Sequence, residues 1–218
     1  MNTADARGPR ERGASGQVLI MFTFVLIILL MGVGVGVDLA GYYARKTQSE
    51  HAVEAARDAV VSQVGVIKFA DSPGTEIFET IAKALEDNGY EGTATMSFYE
   101  AEREYVAPSG KKVGKSHRIE GVYLKLEGTY KTNLISIVGI GSITARSQGA
   151  WSLDLYSKSD AVWGPNSQGA GFGRTRTYSV VQGKASLVTD STIASLGSST
   201  VPQSLRDAIN QAAESVAR

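Results

Sequence analysis

Two histidines, His51 and His117, and 22 acidic side chains are this chain's candidate metal ligands and catalytic bases, and it has no cysteine. Nucleophilic catalysis needs a base held within hydrogen-bond reach of the attacking group, and a metal centre needs convergent ligands. His117 stands among Lys115, Ser116 and Arg118, and His51 stands beside Glu50, so each reads as a solvated histidine. Glu100, Glu102 and Glu104 alternate around Arg103. Carboxylate oxygens suit calcium, but the spacing of an EF-hand loop is absent. The pattern reads instead as a charged edge strand that resists aggregation. Residues 169–173, GAGFG, lack a preceding buried strand and a following helix, which makes a linker a better reading than a phosphate loop. With no cysteine there is neither a disulfide framework nor a thiolate metal site. The 22 basic and 22 acidic residues cancel, so no basic stripe for nucleic acid is expected. The expectation is a protein that is not an enzyme, holds no cofactor or metal and binds no nucleic acid.

The elements that would have to position any site begin with a different kind of residue. Val18 to Val37, VLIMFTFVLIILLMGVGVGV, is an uncharged run in which Thr23 is the only polar side chain. At about 1.5 Å per residue, a helix of about 20 residues crosses the roughly 30 Å hydrocarbon core of a bilayer. A cleaved secretory signal has a shorter apolar region and a small-residue cleavage site. This run instead continues into DLAGYYARKTQSEHAVEAARDAVVSQV, dense in helix formers, and reads as a retained anchor with a stalk. Arg7, Arg10 and Arg12 precede the run, and Arg45, Lys46 and Arg57 follow it. The short basic tail places the N-terminus in the cytoplasm and the rest outside.

One helix is expected from Gly16 to about Val64. Gly32, Gly36, Ala40 and Ala44 recur at i+4 and form a stripe of small side chains, which either admits a partner helix closely or is ordinary glycine usage in a lipid-facing helix. Asp38 either anchors a partner helix or an arginine, or is a soluble acid marking the membrane boundary. Ala52, Val53, Ala56, Ala59, Val60 and Val64 make an amphipathic face that packs on the protein's own domain. Ser72-Pro73 opens a second helix and Asn88-Gly89 ends it. Alternation predicts antiparallel strands at 93–100 and 118–130, with 103–107 an edge strand and 109–112 a loop tip. NLISIVGI, Asn133 to Ile140, is either a buried helical turn or a surface touching the headgroup region. Ser142 to Leu155 returns to strand, Tyr178–Val181 pairs with Ala185–Val188 as a hairpin, and 202–218 is an amphipathic helix.

Gly16-Gln17 before the run, then Val37-Asp38-Leu39, Tyr42 or Tyr43, Arg45, Gln48 and the alanine-rich 52–59 stretch resemble the TadE/TadG-like family of tight-adherence (Flp-type, type IV-like) pilus assembly proteins. The resemblance extends in outline over 13–156 and is specific over 13–60. It implies a bitopic protein of the cytoplasmic membrane with an extracytoplasmic α+β domain, acting as an assembly component or minor pseudopilin. It also marks Gly16 and Gln17 as the processing site. Processed subunits of such systems carry a glutamate five residues after the cleaved glycine; here that residue is Met21, and no acid lies between Gln17 and Val37. The departure implies a TadG-like chain kept in the membrane with its tail intact.

The expected fold is therefore α+β: a tail at 1–16, a transmembrane helix at 17–37, a stalk at 38–64, a small antiparallel-sheet domain with one or two packed helices at 65–160, a Gly-rich, partly extended segment at 161–201, and a terminal helix at 202–218. The expected partners are the lipid bilayer and other membrane components of a pilus or secretion machine, with homo- or hetero-oligomers forming through the transmembrane and stalk helices. The alternative is a membrane-anchored ligand-binding or sensor ectodomain unrelated to pili.

Overall fold

The structure, a computed structural model, describes residues 13–67, 69–70, 72–106, 112–155, 173–193 and 201–216, with the backbone alone for 13–15, 101–106, 112–119, 138, 154–155 and 212–216. The tail at 1–12, the loop tip at 107–111 and the glycines at 169 and 171 lie outside the described residues, as do the side chains of Glu102, Glu104 and His117. The fold is α+β, a long apolar N-terminal helix and an antiparallel-sheet domain with packed helices. It divides into two compact units: residues 1–42 with 131–143, and residues 43–130 with 144–218.

Helix α1 runs without a break from Gly13 to Ser62, 50 residues or about 75 Å. Among the described residues it is the one helix long and apolar enough to cross a membrane. Its apolar run is exposed along most of its length. In the first unit this run is accompanied by the excursion 131–143, whose centre is a single 3-10 turn, Ile135–Val138.

The second unit is built on a five-stranded sheet: β1 (Gly92–Val106), β2 (Lys112–Lys131), β3 (Ser142–Leu155), β4 (Gly173–Val181) and β5 (Lys184–Ile193), in the order β3-β2-β1-β4-β5. Period-two alternation sends each strand's side chains to two faces. Ala94, Met96 and Phe98 of β1 stand opposite Leu126, Leu124 and Val122 of β2. All six are buried in one core with Ala52, Val53, Ala56 and Val60 of α1. Helix α2 (Val64–Ile67) and helix α3 (Pro73–Asp87) close this side, with Ile77, Phe78, Ile81 and Leu85 inward. The Phe78 and Phe98 rings meet edge to face at 5.3 Å. Tyr99 and Tyr123 point to the opposite face, where Leu205 and Ile209 of α4 (Gln203–Val216) cover them.

Three expectations change. Residues 103–106 are not a separate edge strand: β1 continues through them, pairing Arg103 with His117 across the ladder. Glu100 is not on a solvated edge; it is fully buried opposite Glu120, in register on the core face of the sheet. Residues 173–193, set apart from 65–160 in the expected plan, supply two strands of the same sheet, and β4 pairs directly with the central β1 from Gly92↔Val180 to Tyr99↔Gly173. The hairpin expected at 178–188 is its tip, turning at Gln182-Gly183. A strand joined 88 residues along the chain leaves no local trace in the pattern of either partner.

Candidate functional site

The most built arrangement centres on Asp38, the acid that ends the apolar run. Its side chain has no exposed surface, so it is not a solvated boundary acid. Oδ1 accepts the backbone N–H of Asn133 at 2.8 Å, and Oδ2 accepts those of Leu134 at 2.9 Å and Ile135 at 2.7 Å. The Ile135 N–H opens the 3-10 turn and those of Asn133 and Leu134 lead into it, so none has a partner within the turn itself. A carboxylate offers two acceptor oxygens and a full negative charge to them, an N-cap made across 97 residues of chain.

The excursion Asp38 holds is closed on itself. At its neck the Thr132 N–H donates to the Gly141 carbonyl at 3.1 Å, and the Thr132 hydroxyl donates to the Ile140 carbonyl. Inside, Ile137 N–H donates to Leu134 O at 3.2 Å and the Ser136 hydroxyl to Asn133 O at 2.7 Å. Gly139, at φ 93°, turns the chain back while its N–H donates to Ser136 O at 3.0 Å. The loop sits on α1 at Gly34. A Cβ at that position would lie 2.8 Å from Leu134 Cβ, so only glycine admits this approach. Beside the contact, Ile27, Leu30, Met31, Leu134, Ile135 and Ile137 border an open apolar groove of about 510 Å³.

Further along α1, in the second unit, the helix is clamped to the turn between α3 and β1. Arg45 Nη2 donates to the Glu91 carbonyl and Nη1 to Gln48 Oε1, both at 2.6 Å. The Gln48 amide donates to the Gly89 carbonyl at 3.4 Å. The Arg45 guanidinium also lies 6.0 Å from the centre of the Tyr90 ring, at the outer limit of a cation–π contact. Tyr90 is fully buried, and burial pushes its hydroxyl up to about 12 against the opposing pull of Arg45. Ala52 and Ala56 then let the helix lie close on the sheet.

Gly16 and Gln17 lie exposed in α1 near its start. Gly32 and Gly36 have open space where a side chain would be, and Ala40 and Ala44 are exposed, so the small-residue stripe is uncovered. The close approach occurs at Gly34, which the i+4 pattern passes over. Its signal is visible only once NLISIVGI is known to return to the helix. His51 pairs with Glu54 at 3.6 Å on the exposed stalk surface. Among the described residues no three His, Cys, Asp or Glu side chains converge as metal ligands.

Asp38, Arg45, Gln48 and the alanines thus each join helix α1 to a particular piece of the rest of the chain. Residues 16–57 match the family model described as "Putative Flp pilus-assembly TadE/G-like". The matched span opens at the start of the apolar run and closes within the stalk, taking in all of these residues; it stops short of the wider 13–156 resemblance. No curated protein and no solved structure matches the chain. The N-terminal region is thus similar to the TadE/G-like family, and its single apolar helix is consistent with membrane anchoring.

Proposed function

We propose that this protein is a TadG-like assembly component of a tight-adherence pilus or a related secretion machine, permanently held in the cytoplasmic membrane. The N-terminus lies in the cytoplasm and the sheet domain outside. The chain acts through protein contacts rather than catalysis. The observation that carries this reading is the coincidence of the family match with one continuous helix that bears, in order, an apolar run, an uncovered small-residue stripe and the residues that fasten it to its own domain. The stripe Gly32, Gly36, Ala40 and Ala44 is the surface through which a partner helix, from another machine component or a second copy, approaches.

The N-terminal sequence of the protein extracted from native membranes tests retention: an intact tail supports it, and a start at Gln17 makes the chain a processed, minor-pseudopilin-like subunit instead. Assembly of the machine in cells carrying Gly32→Leu with Gly36→Leu tests the contact. Loss of assembly with normal protein levels supports a working membrane helix. Full function with an unrelated anchor in its place would favour a tethered binding domain.

A further inference from the structure

The loop 133–141 is out of place on a water-facing surface. Its nine residues, NLISIVGIG, carry no charge. Leu134 is 42% exposed, Ile140 50% and Ile137 81%. Burying such a side chain is favourable, so an isoleucine standing out this far is costly in water. The loop touches α1 at Gly34, four residues and hence about 6 Å inside the apolar run from Asp38.

We propose that this loop is a second membrane-embedded element, a short wedge that enters the outer leaflet beside α1 with its isoleucines and the adjoining groove covered by lipid acyl chains. The proposal rests on α1 spanning a bilayer. Non-helical backbone is tolerated at membrane depth only where its polar groups find partners within the protein. Much of this loop's backbone meets that requirement. The N–H groups of Thr132, Asn133, Leu134, Ile135, Ile137 and Gly139 all donate within the unit, three of them to Asp38. The Ser136 hydroxyl and the carbonyl of Ile140 are also engaged inside it. Asp38, the charge to which three of these groups donate, is fully buried.

Lipid, rather than another helix, is the occupant favoured by the arrangement of side chains. Two residues along a helix correspond to a rotation of about 200°, so the loop at Gly34 and the stripe at Gly32 and Gly36 lie on opposite sides of α1. The stripe is small and open to a close helix backbone. The loop side presents Ile137 and Leu134 with Leu30 and Met31, bulky and uneven, a surface to which flexible acyl chains conform.

The chain has no cysteine, so single labels need no background removal. Full-length Ile137→Cys, Leu30→Cys and Lys184→Cys, each carrying a nitroxide, would be reconstituted in phosphatidylethanolamine–phosphatidylglycerol vesicles. Collision with oxygen, which concentrates in lipid, and with a water-soluble nickel chelate present on both sides would then be measured by electron paramagnetic resonance. The expected result is an oxygen-to-nickel ratio at position 137 several-fold above that at 184 and close to that at 30. A lipid-type ratio at 30 with a water-type ratio at 137 would overturn the wedge while leaving the anchor intact. Position 137 shielded from both reagents would also overturn it, in favour of a protein partner. A water-type ratio at 30 would remove the membrane reading itself, and the wedge with it. In Asp38→Ala the ratio at 137 is expected to fall toward that at 184 while the value at 30 holds. An unchanged ratio there would overturn the role given to Asp38.

Discussion

Replacing Asp38 by alanine should release the 3-10 turn without unfolding the sheet domain. The carboxylate accepts three N–H bonds, from Asn133, Leu134 and Ile135. Hydrogen bonds to a charged group contribute roughly 1.5–3 kcal/mol each, and a buried donor left unpaired costs about 1–3 kcal/mol. Taking the lower end for all three gives about 4.5 kcal/mol, which at about 1.4 kcal/mol per decade is roughly a thousandfold shift in the opening equilibrium of the loop. The loop escapes part of this by opening, so the loss read out is bounded by its own closing free energy. Asp38→Asn should fall between: its single oxygen can serve Leu134 and Ile135 from the Oδ2 position, while its amide then faces the Asn133 N–H, donor against donor. Hydrogen–deuterium exchange of the full chain in lipid nanodiscs reads the effect directly, with the Met96 and Phe98 amides of β1 as internal reference. Protection at 133–135 should drop steeply in Asp38→Ala and less in Asp38→Asn, with the reference unmoved. Equal protection in wild type and Asp38→Ala would refute the latch, and equal loss in the two variants would refute its charge-assisted character.

Gly34→Ala should displace the loop by overpacking against Leu134, at about 1–3 kcal/mol, whereas Gly36→Ala, which meets nothing, should leave it in place. Proteolytic cleavage within 133–141 compares the two. Gly121 of β2 lies directly beneath α4, where a Cβ would come 2.3 Å from Ile209 Cγ1. Gly121→Val should therefore lift α4 off Tyr99 and Tyr123, seen as protease sensitivity at 203–216 with the α3 side still protected. For Tyr90, the folded pKa near 12 exceeds the ordinary 10, so between these values the folded state holds a proton that the unfolded state has lost. Its contribution to stability is complete below pH 10 and is lost as pH rises toward 12, by about 2 kcal/mol. Tyr90→Phe should flatten that fall in denaturation followed by tryptophan fluorescence; an unchanged slope would place the alkaline instability elsewhere.

Periodicity made the helices and β3 legible. The stalk face Ala52, Val53, Ala56 and Val60 repeats at helical spacing and is buried against the sheet, and α3 begins at Pro73 and ends at Asp87, just before Asn88-Gly89. Strand alternation in Ala94-Met96-Phe98 and Val122-Leu124-Leu126 likewise identified the buried face. What stayed hidden was set by contacts distant in sequence. β4 lies beside β1 because Tyr178 and Val180 complete the core, yet 173–181 alone carries a mixed pattern with threonine and arginine that commits to neither face. Asp38 reads as a boundary acid because nothing near it in sequence reveals three amides arriving from 133–135. Gly34 is hidden by its own neighbours, since an i+4 search finds Gly32, Gly36, Ala40 and Ala44 first.

The strand order has a consequence for the newly made chain. β1 and β2 are neighbours in sequence and can pair as soon as both exist, but the other edge of β1 waits for Tyr178 and Val180. From Glu127 to Val180 is 53 residues, roughly 3–10 s of synthesis at about 5–20 residues per second. During that interval the central strand of the finished sheet has a bare edge, with part of the core beside Met96 and Phe98 unfilled. The segment 156–172 adds to the time β4 takes to arrive. A longer insert there would extend the time in which another chain's strand can occupy its place, and chains that end before Gly173 would keep that edge open for good.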